Sequence, residues 1–391
     1  MRALTSQKAV CGVGTGGDPD ARTAAETALA GALAPLGEAM PDLVLVYASV
    51  RYDLETVVST VAKTAGGAVV AGATTSGQLH CGTLTPPGAG VAVLALAGGG
   101  YRFGLGYASG VRADPVGTGR SLARDARAEA GPSPHAAVLL FSDGLAGDQQ
   151  GLLTGVHSVA GFAVPVIGGA AGDDRALAET FVFAGDQVLT DSAVAVWIAA
   201  ERPLRVHCAH GWHPTGLPLL VTGLDGPVIR ELDGRPALTV YRESFSDDPA
   251  SRFPTVRAGG YHPARALGLI QPDGSVVMRT AVLGDDGTVS TLSPVPPYAA
   301  VRVMACDADE LLRVADETGA AAVADRDAAV VLVFSCVARL DALGPRGPEE
   351  ARRVQRAAGA VPTFGFYTFG EFARSAGVAG YHNATIAAMA L

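Results

Sequence analysis

The sequence predicts an α/β protein with mixed β-sheets flanked by helices, built from three β-α-β-α-turn-β repeats plus an antiparallel insertion. Three observations carry that expectation. First, one order of elements recurs at 43–96, 137–198 and 329–391: an apolar strand ending in polar residues, a helical stretch, a glycine-bounded turn and a closing strand. Second, the leading strands (LVLVYAS, AVLLFS, VVLVFS) are continuous apolar runs, the pattern of strands covered on both faces by helices. Third, 49% hydrophobic against 17% charged residues, with Gly 50 and Pro 24, describes a core-rich chain with many tight turns.

Each leading strand ends at a serine: Ser49, Ser142 and Ser335. A glycine turn is expected to open 23, 26 and 30 residues later, at Gly72, Gly168 and Gly365. A further strand and helix precede each copy, and for the third copy VRVMACD is expected to be that strand. The period is far too long for a solenoid, so the copies are read as parts of a globular body.

At the N-terminus, GVGTGGDPD has the look of a phosphate loop. Its glycines give GxGxGG, however, which does not match the dinucleotide fingerprint. Asp20 or Thr23 capping the next helix is the simpler reading. Residues 200–300 break the repeat and read as an antiparallel meander between copies two and three. QPDGSV there is a hairpin-like turn, and Pro236 suits the start of a helix. The expected division is an N-terminal domain over 1–200 and a C-terminal domain over 201–391.

Net charge is −9 and no basic stripe is present, which argues against nucleic acid as a partner. The five cysteines are scattered, odd in number and free of any CxxC pair. Neither a zinc site nor a disulfide framework is signalled, and a reducing cytoplasm is the expected location. No apolar run is long enough for a membrane span.

Candidate binding residues sit where strands end, because open α/β sheets gather ligands at strand carboxyl ends. In the first copy these are Ser49 and Arg51, with Thr75 and Gly77 in a small-residue stretch. In the second they are Ser142, Gly172, Asp173 and Asp174. A cation site at the paired aspartates lacks a third acidic neighbour. The third copy holds the richest set, Cys336, Arg339, Glu371, His382 and Asn383, and its ends are expected to converge on a polar pocket. There Arg339, assisted by Arg51, is expected to hold a ligand carboxylate, with Asp173, Asp174 or Glu371 holding an amine. A nucleophile–base pair of Cys336 and His382 is the enzymatic alternative.

The words YASVRYD, AGATTSGQ, VIGGAAGDD, TFVFAGDQVLTDSAVAVWI, HGWHPTG, IRELDGRPAL, FSCVAR, FGFYTFGEF and HNATI occur in this order. Together they resemble the FIST family of sensory and signal-transduction domains. The resemblance implies a small-ligand-sensing module for small molecules such as amino acids, and the chain is expected to be a non-enzymatic binder of these or other small carboxylates. It leaves haem-based nitric-oxide sensing as the alternative, with His210, His213 or His382 as axial ligand. No kinase, cyclase, chemoreceptor or F-box segment is recognised in the sequence, so the signalling output is expected from a separate partner.

Overall fold

The computed structural model describes residues 8–244, 260–284, 286–324, 327–375 and 378–391. The first α/β unit comprises β1 (Val10–Gly16), α1 (Ala21–Leu33), β2 (Leu43–Ala48), α2 (Leu54–Thr64), β3 (Val69–Thr74), the hairpin β4 (Gln78–His80) with β5 (Thr83–Thr85), and β6 (Val91–Ala97). The second repeats this plan. It runs β7 (Arg102–Ser109), α3 (Pro115–Ala130), β8 (His135–Ser142), α4 (Gln149–Ala160), β9 (Val166–Ala170), the hairpin β10 (Val182–Ala184) with β11 (Gln187–Leu189), and β12 (Ser192–Ala200).

The third unit opens with β13 (Val206–Ala209) and is then interrupted by an antiparallel block. The block contains β14 (His213–Asp225), β15 (Val228–Leu232), β16 (Arg235–Pro236), α5 (Ala237–Glu243), β17 (Arg265–Ile270), β18 (Val276–Arg279), β19 (Ala281–Leu283), β20 (Val289–Thr291) and β21 (Ala300–Ala305). The unit resumes with α6 (Ala308–Val323), β22 (Val331–Cys336), α7 (Val337–Leu343), α8 (Gly347–Ala358), β23 (Thr363–Thr368), the hairpin β24 (Glu371–Ser375) with β25 (Val378–His382), and β26 (Ile386–Ala390).

Three sheets of identical plan result. Their orders are β1-β6-β2-β3-β10-β11, β7-β12-β8-β9-β24-β25 and β13-β26-β22-β23-β4-β5. Every unit therefore lends its hairpin to a neighbour's sheet in a cyclic exchange. Hairpin one joins sheet three, hairpin two joins sheet one and hairpin three joins sheet two. Two of these exchanges cross the expected division at 200/201. The inner faces of the three sheets form one core, in which Tyr47, Phe141 and Phe334 occupy equivalent places on β2, β8 and β22. Their rings meet in series, with centroids 5.9 Å and 6.1 Å apart.

At one end a ring of backbone hydrogen bonds closes the exchange. Ser76 N donates to Tyr367 O (3.0 Å), Gly172 N to Thr74 O (2.9 Å) and Phe369 N to Ala170 O (3.1 Å). Asp20, Asp53, Asp114, Asp148 and Asp307 accept from the third-residue amide of α1, α2, α3, α4 and α6. These caps satisfy amides that a helix start leaves without a partner.

Four expectations are corrected. Gly72, Gly168 and Gly365 lie inside β3, β9 and β23 and not in turns. A Cβ at these glycines would come within 1.9, 1.9 and 1.6 Å of the Val46, Leu140 and Val333 carbonyl oxygens of the parallel neighbour. Second, VRVMACD is β21 of the antiparallel sheet, paired with β14 and β17. The first strand of unit three is instead the short β13, which pairs with β26, so the insertion falls within the third unit and not before it. Third, Gly12, Gly14 and Gly16 of GVGTGG lie along β1, with Gly17 just beyond its end. A Cβ at Gly12, Gly14 or Gly16 would sit about 2 Å from the carbonyl oxygens of Ala32, Ala28 or Ala24 of α1, so these glycines serve close strand–helix approach. The β2–β3, β8–β9 and β22–β23 registers also make Ala48, not Ser49, the counterpart of Ser142 and Ser335.

Candidate functional site

The antiparallel block lies against the end of unit three, with apolar side chains from both sides forming one cluster. Trp212, Met278, Met304 and Cys306 come from the block, and Cys336 and Ala384 from the unit. Trp212 Nε1 donates to Ala384 O at 3.1 Å. Beside this seam is a set of fully buried polar groups: Glu371, His382 and Asn383. Their placement follows from local structure. Glu371 begins β24 and His382 ends β25, and the two pair directly across the hairpin. Asn383 follows in the turn to β26, in which Ala384 adopts φ +56°.

Both carboxyl oxygens of Glu371 are engaged. Thr368 Oγ1 reaches one, while Thr385 Oγ1 (2.5 Å) and N (3.3 Å) reach the other. Burial nevertheless pushes the acid up to about 8, against the downward pull of those hydrogen bonds. Glu371 is therefore largely protonated at neutral pH. Cys336 is raised well above the ordinary thiol range, first by burial and then by the Glu371 carboxylate. Tyr381, whose hydroxyl donates to Phe369 O (3.0 Å), is raised by burial and then by the same carboxylate.

From the block, Arg279 Nη1 donates to the carbonyls of Met278 (3.0 Å) and Tyr381 (3.2 Å). Burial lowers this guanidinium to about 10, which leaves it cationic at neutral pH. No described carboxylate forms an ion pair with it, and its Nε has no described partner. The same holds for both amide atoms of Asn383, which is 0% exposed. Buried polar groups are normally paired, and each exception calls for a physical explanation.

The linkage sign gives a first prediction. An ordinary glutamate titrates near 4.5, whereas folded Glu371 holds its proton to about 8. Between these values the folded state binds more protons, so stability falls as pH rises across that window. Its contribution is fully present below about 4.5 and lost on passing 8. Urea midpoints at pH 5 and pH 8 should differ more for wild type than for Glu371→Gln; equal differences would show that this acid is not responsible.

The expected site residues separate into three groups. Cys336, Glu371, His382 and Asn383 are brought together as described. Arg339, also fully buried, has a different neighbour set. Its Nε (2.9 Å) and Nη2 (2.6 Å) bind Glu350, Nη1 binds His210 O (2.7 Å), and Nη2 also binds Leu311 O (2.9 Å). Glu350 further accepts from Ser335 Oγ and Tyr367 OH, both at 2.7 Å. This guanidinium is thus committed to an in-chain carboxylate that joins α7, α8 and two strands.

The remaining residues lie around the closing ring and the 171–181 loop. Ser49 Oγ donates to Asp174 (2.6 Å), which also accepts from Gly88 N (2.7 Å). The Arg51 side chain is exposed beside Gly88, and Arg51 N donates to Ser49 Oγ at 3.2 Å. Asp173 accepts from the amides of Leu177, Ala178 and Glu179. Ser142 donates to Gln149 at 2.7 Å. Thr75, Gly77 and Gly172 hold the ring through their backbones, and Thr75 Oγ1 also meets Gln78 Nε2 at 3.3 Å.

As for the other histidines, His210 Nδ1 accepts from Trp212 N at 2.9 Å and His213 is exposed on β14. The described residues contain no cluster of three or more His, Cys, Asp or Glu able to hold a metal ion. They also contain no helix long and apolar enough to cross a membrane. Sequence reading passed over Arg279, Tyr381, Trp212 and Glu350. The word HGWHPTG drew attention to its histidines, while the tryptophan between them makes the seam contact.

A three-sheet α/β body with a polar seam against an antiparallel domain defines the class. The FIST N domain matches residues 42–235 and the FIST C domain residues 237–374. The chain belongs to the FIST family, a family of sensory domains. Among curated relatives, uncharacterized proteins of Mycobacterium bovis and Mycobacterium tuberculosis are each 31% identical over 239 residues. The match covers 58% of this chain and 60% of each relative. An uncharacterized protein of Methanocaldococcus jannaschii is 30% identical over 104 residues, 27% of this chain and 20% of that protein.

Proposed function

We propose that this chain is a cytoplasmic, non-enzymatic receptor for an amino acid or other small carboxylate, informing a separate signalling partner. The ligand sits at the seam between unit three and the antiparallel block. The observation that carries this reading is Asn383: a fully buried carboxamide with neither polar atom bonded within the described chain. Arg279 supplies the positive charge, in surroundings dry enough to lower its affinity for its own proton. Protonated Glu371 adds a neutral group able to exchange hydrogen bonds with the ligand.

Binding is favoured over catalysis by the state of the thiol. A nucleophilic cysteine needs a depressed pKa and access, whereas Cys336 is 2% exposed and shifted the other way. Five cysteines without a disulfide suit the reducing compartment named here.

Titration calorimetry against amino acids and small carboxylates tests the reading on wild type, Asn383→Ala and Arg279→Gln. Hydrogen bonds to charged groups contribute about 1.5–3 kcal/mol, so each variant should weaken binding by roughly 10- to 100-fold. No heat with any of these compounds, or unchanged affinity in both variants, would overturn it. Arg339→Ala is unsuitable as a test, because that residue is bound to Glu350.

A further inference from the structure

A cavity lies between units two and three, and reaches β24 only at Ala373. It has a volume of about 330 Å³, at the lower end of small-ligand sites. Its walls come from three places in the chain. His157 stands in the last turn of α4, Phe162 and Val164 lie in the segment leading to β9, Leu204 and Arg205 lead into β13, and His207 lies on β13.

The apolar side of the cavity is preformed. Phe162 is 70% exposed yet stacks on His157, with centroids 5.0 Å apart and planes at 22°. The fold thus presents a flat aromatic face to solvent at the mouth of a concave site. Val164, Pro165 and Leu204 continue that surface inward. The polar side holds the Arg205 guanidinium and two imidazoles, and no carboxylate lines the cavity. Arg205 makes no hydrogen bond or ion pair with a described residue, and its side chain is exposed. A guanidinium without an internal carboxylate, beside an apolar wall, is a match for a planar anion.

We propose that this cavity binds a small organic anion with one flat apolar face, its charge held by Arg205 and its ring laid against Phe162. The chemical class is a monocyclic aromatic or similarly compact carboxylate. A ring of that size fits the volume, and a guanidinium pairs with a carboxylate through two parallel hydrogen bonds. The site is separate from the seam in its residues, so it stands or falls independently of the function proposed above.

The test uses 4-fluorobenzoate as probe and fluorine NMR of the full chain as readout. Wild type should bind it saturably and should bind 4-fluorobenzamide, the uncharged counterpart, about tenfold or more weakly. Arg205→Gln and Phe162→Ala change exposed side chains, so both should keep the wild-type melting temperature while each loses about tenfold in affinity. Asn383→Ala should leave this affinity unchanged. Equal binding of acid and amide, retention in Arg205→Gln, or loss only in Asn383→Ala would overturn the assignment, as would no saturable binding by wild type.

Discussion

Glu350→Ala should destabilise the protein by about 3–5 kcal/mol, the cost of leaving one member of a buried ion pair without its partner. The pair is 0% exposed on both sides. Removing the carboxylate leaves the Arg339 guanidinium enclosed, and also takes the acceptor from the hydroxyls of Ser335 and Tyr367. Each stranded donor adds to the loss. Urea denaturation followed by circular dichroism measures it. Two controls give the result meaning. Glu350→Gln keeps acceptor oxygen and shape and should cost less than alanine. Arg339→Met with Glu350→Leu removes both charges and should recover much of the loss, because apolar replacements of similar volume often match a buried pair. A Glu350→Ala protein within about 1 kcal/mol of wild type would show that the network contributes little.

Gly365→Ala should be comparably severe and should differ from an ordinary helix or strand substitution. A Cβ there would lie 1.6 Å from the Val333 carbonyl oxygen and 2.5 Å from its carbonyl carbon. Both atoms are backbone, so no side chain can rotate away. β23 must shift from β22, and it also carries hairpin β4–β5 of unit one through the Gly365–Leu79 pair. The loss therefore spreads across two units. A cost of about 3 kcal/mol or more is expected, within the range of backbone incompatibility and overpacking. Gly17→Ala, where an added Cβ meets nothing within 4 Å, is the matched control and should change stability by less than about 0.5 kcal/mol. Equal melting temperatures for the two variants would contradict the close approach.

The repeat was legible because it rests on local rules. Continuous apolar runs mark strands covered on both faces, and aspartates ahead of helices mark their starts. The glycine-rich stretches were legible as places needing small residues, but their cause was not. Gly12, Gly14 and Gly16 of GVGTGG and the Gly72, Gly168 and Gly365 positions all answer to a backbone neighbour from another element, and composition alone names no neighbour. The candidate site was legible in part. Unit three contributes Cys336, Glu371, His382 and Asn383, which one unit's own strand ends gather. Arg279 comes from the inserted block, and nothing in VVMRT announces where that strand will rest. Arg339 shows the converse: its charge was visible, but Glu350, eleven positions later on another helix, is what neutralises it.

The amino-acid sequence by itself determined the threefold α/β plan, because strand burial and helix capping are settled within a few residues. Only the tertiary structure decided that each hairpin serves a neighbouring sheet, and that the insertion brings the Arg279 guanidinium to the Tyr381 carbonyl, two residues before the buried Asn383. Those outcomes depend on contacts between segments far apart in the chain, where packing and desolvation override local preference.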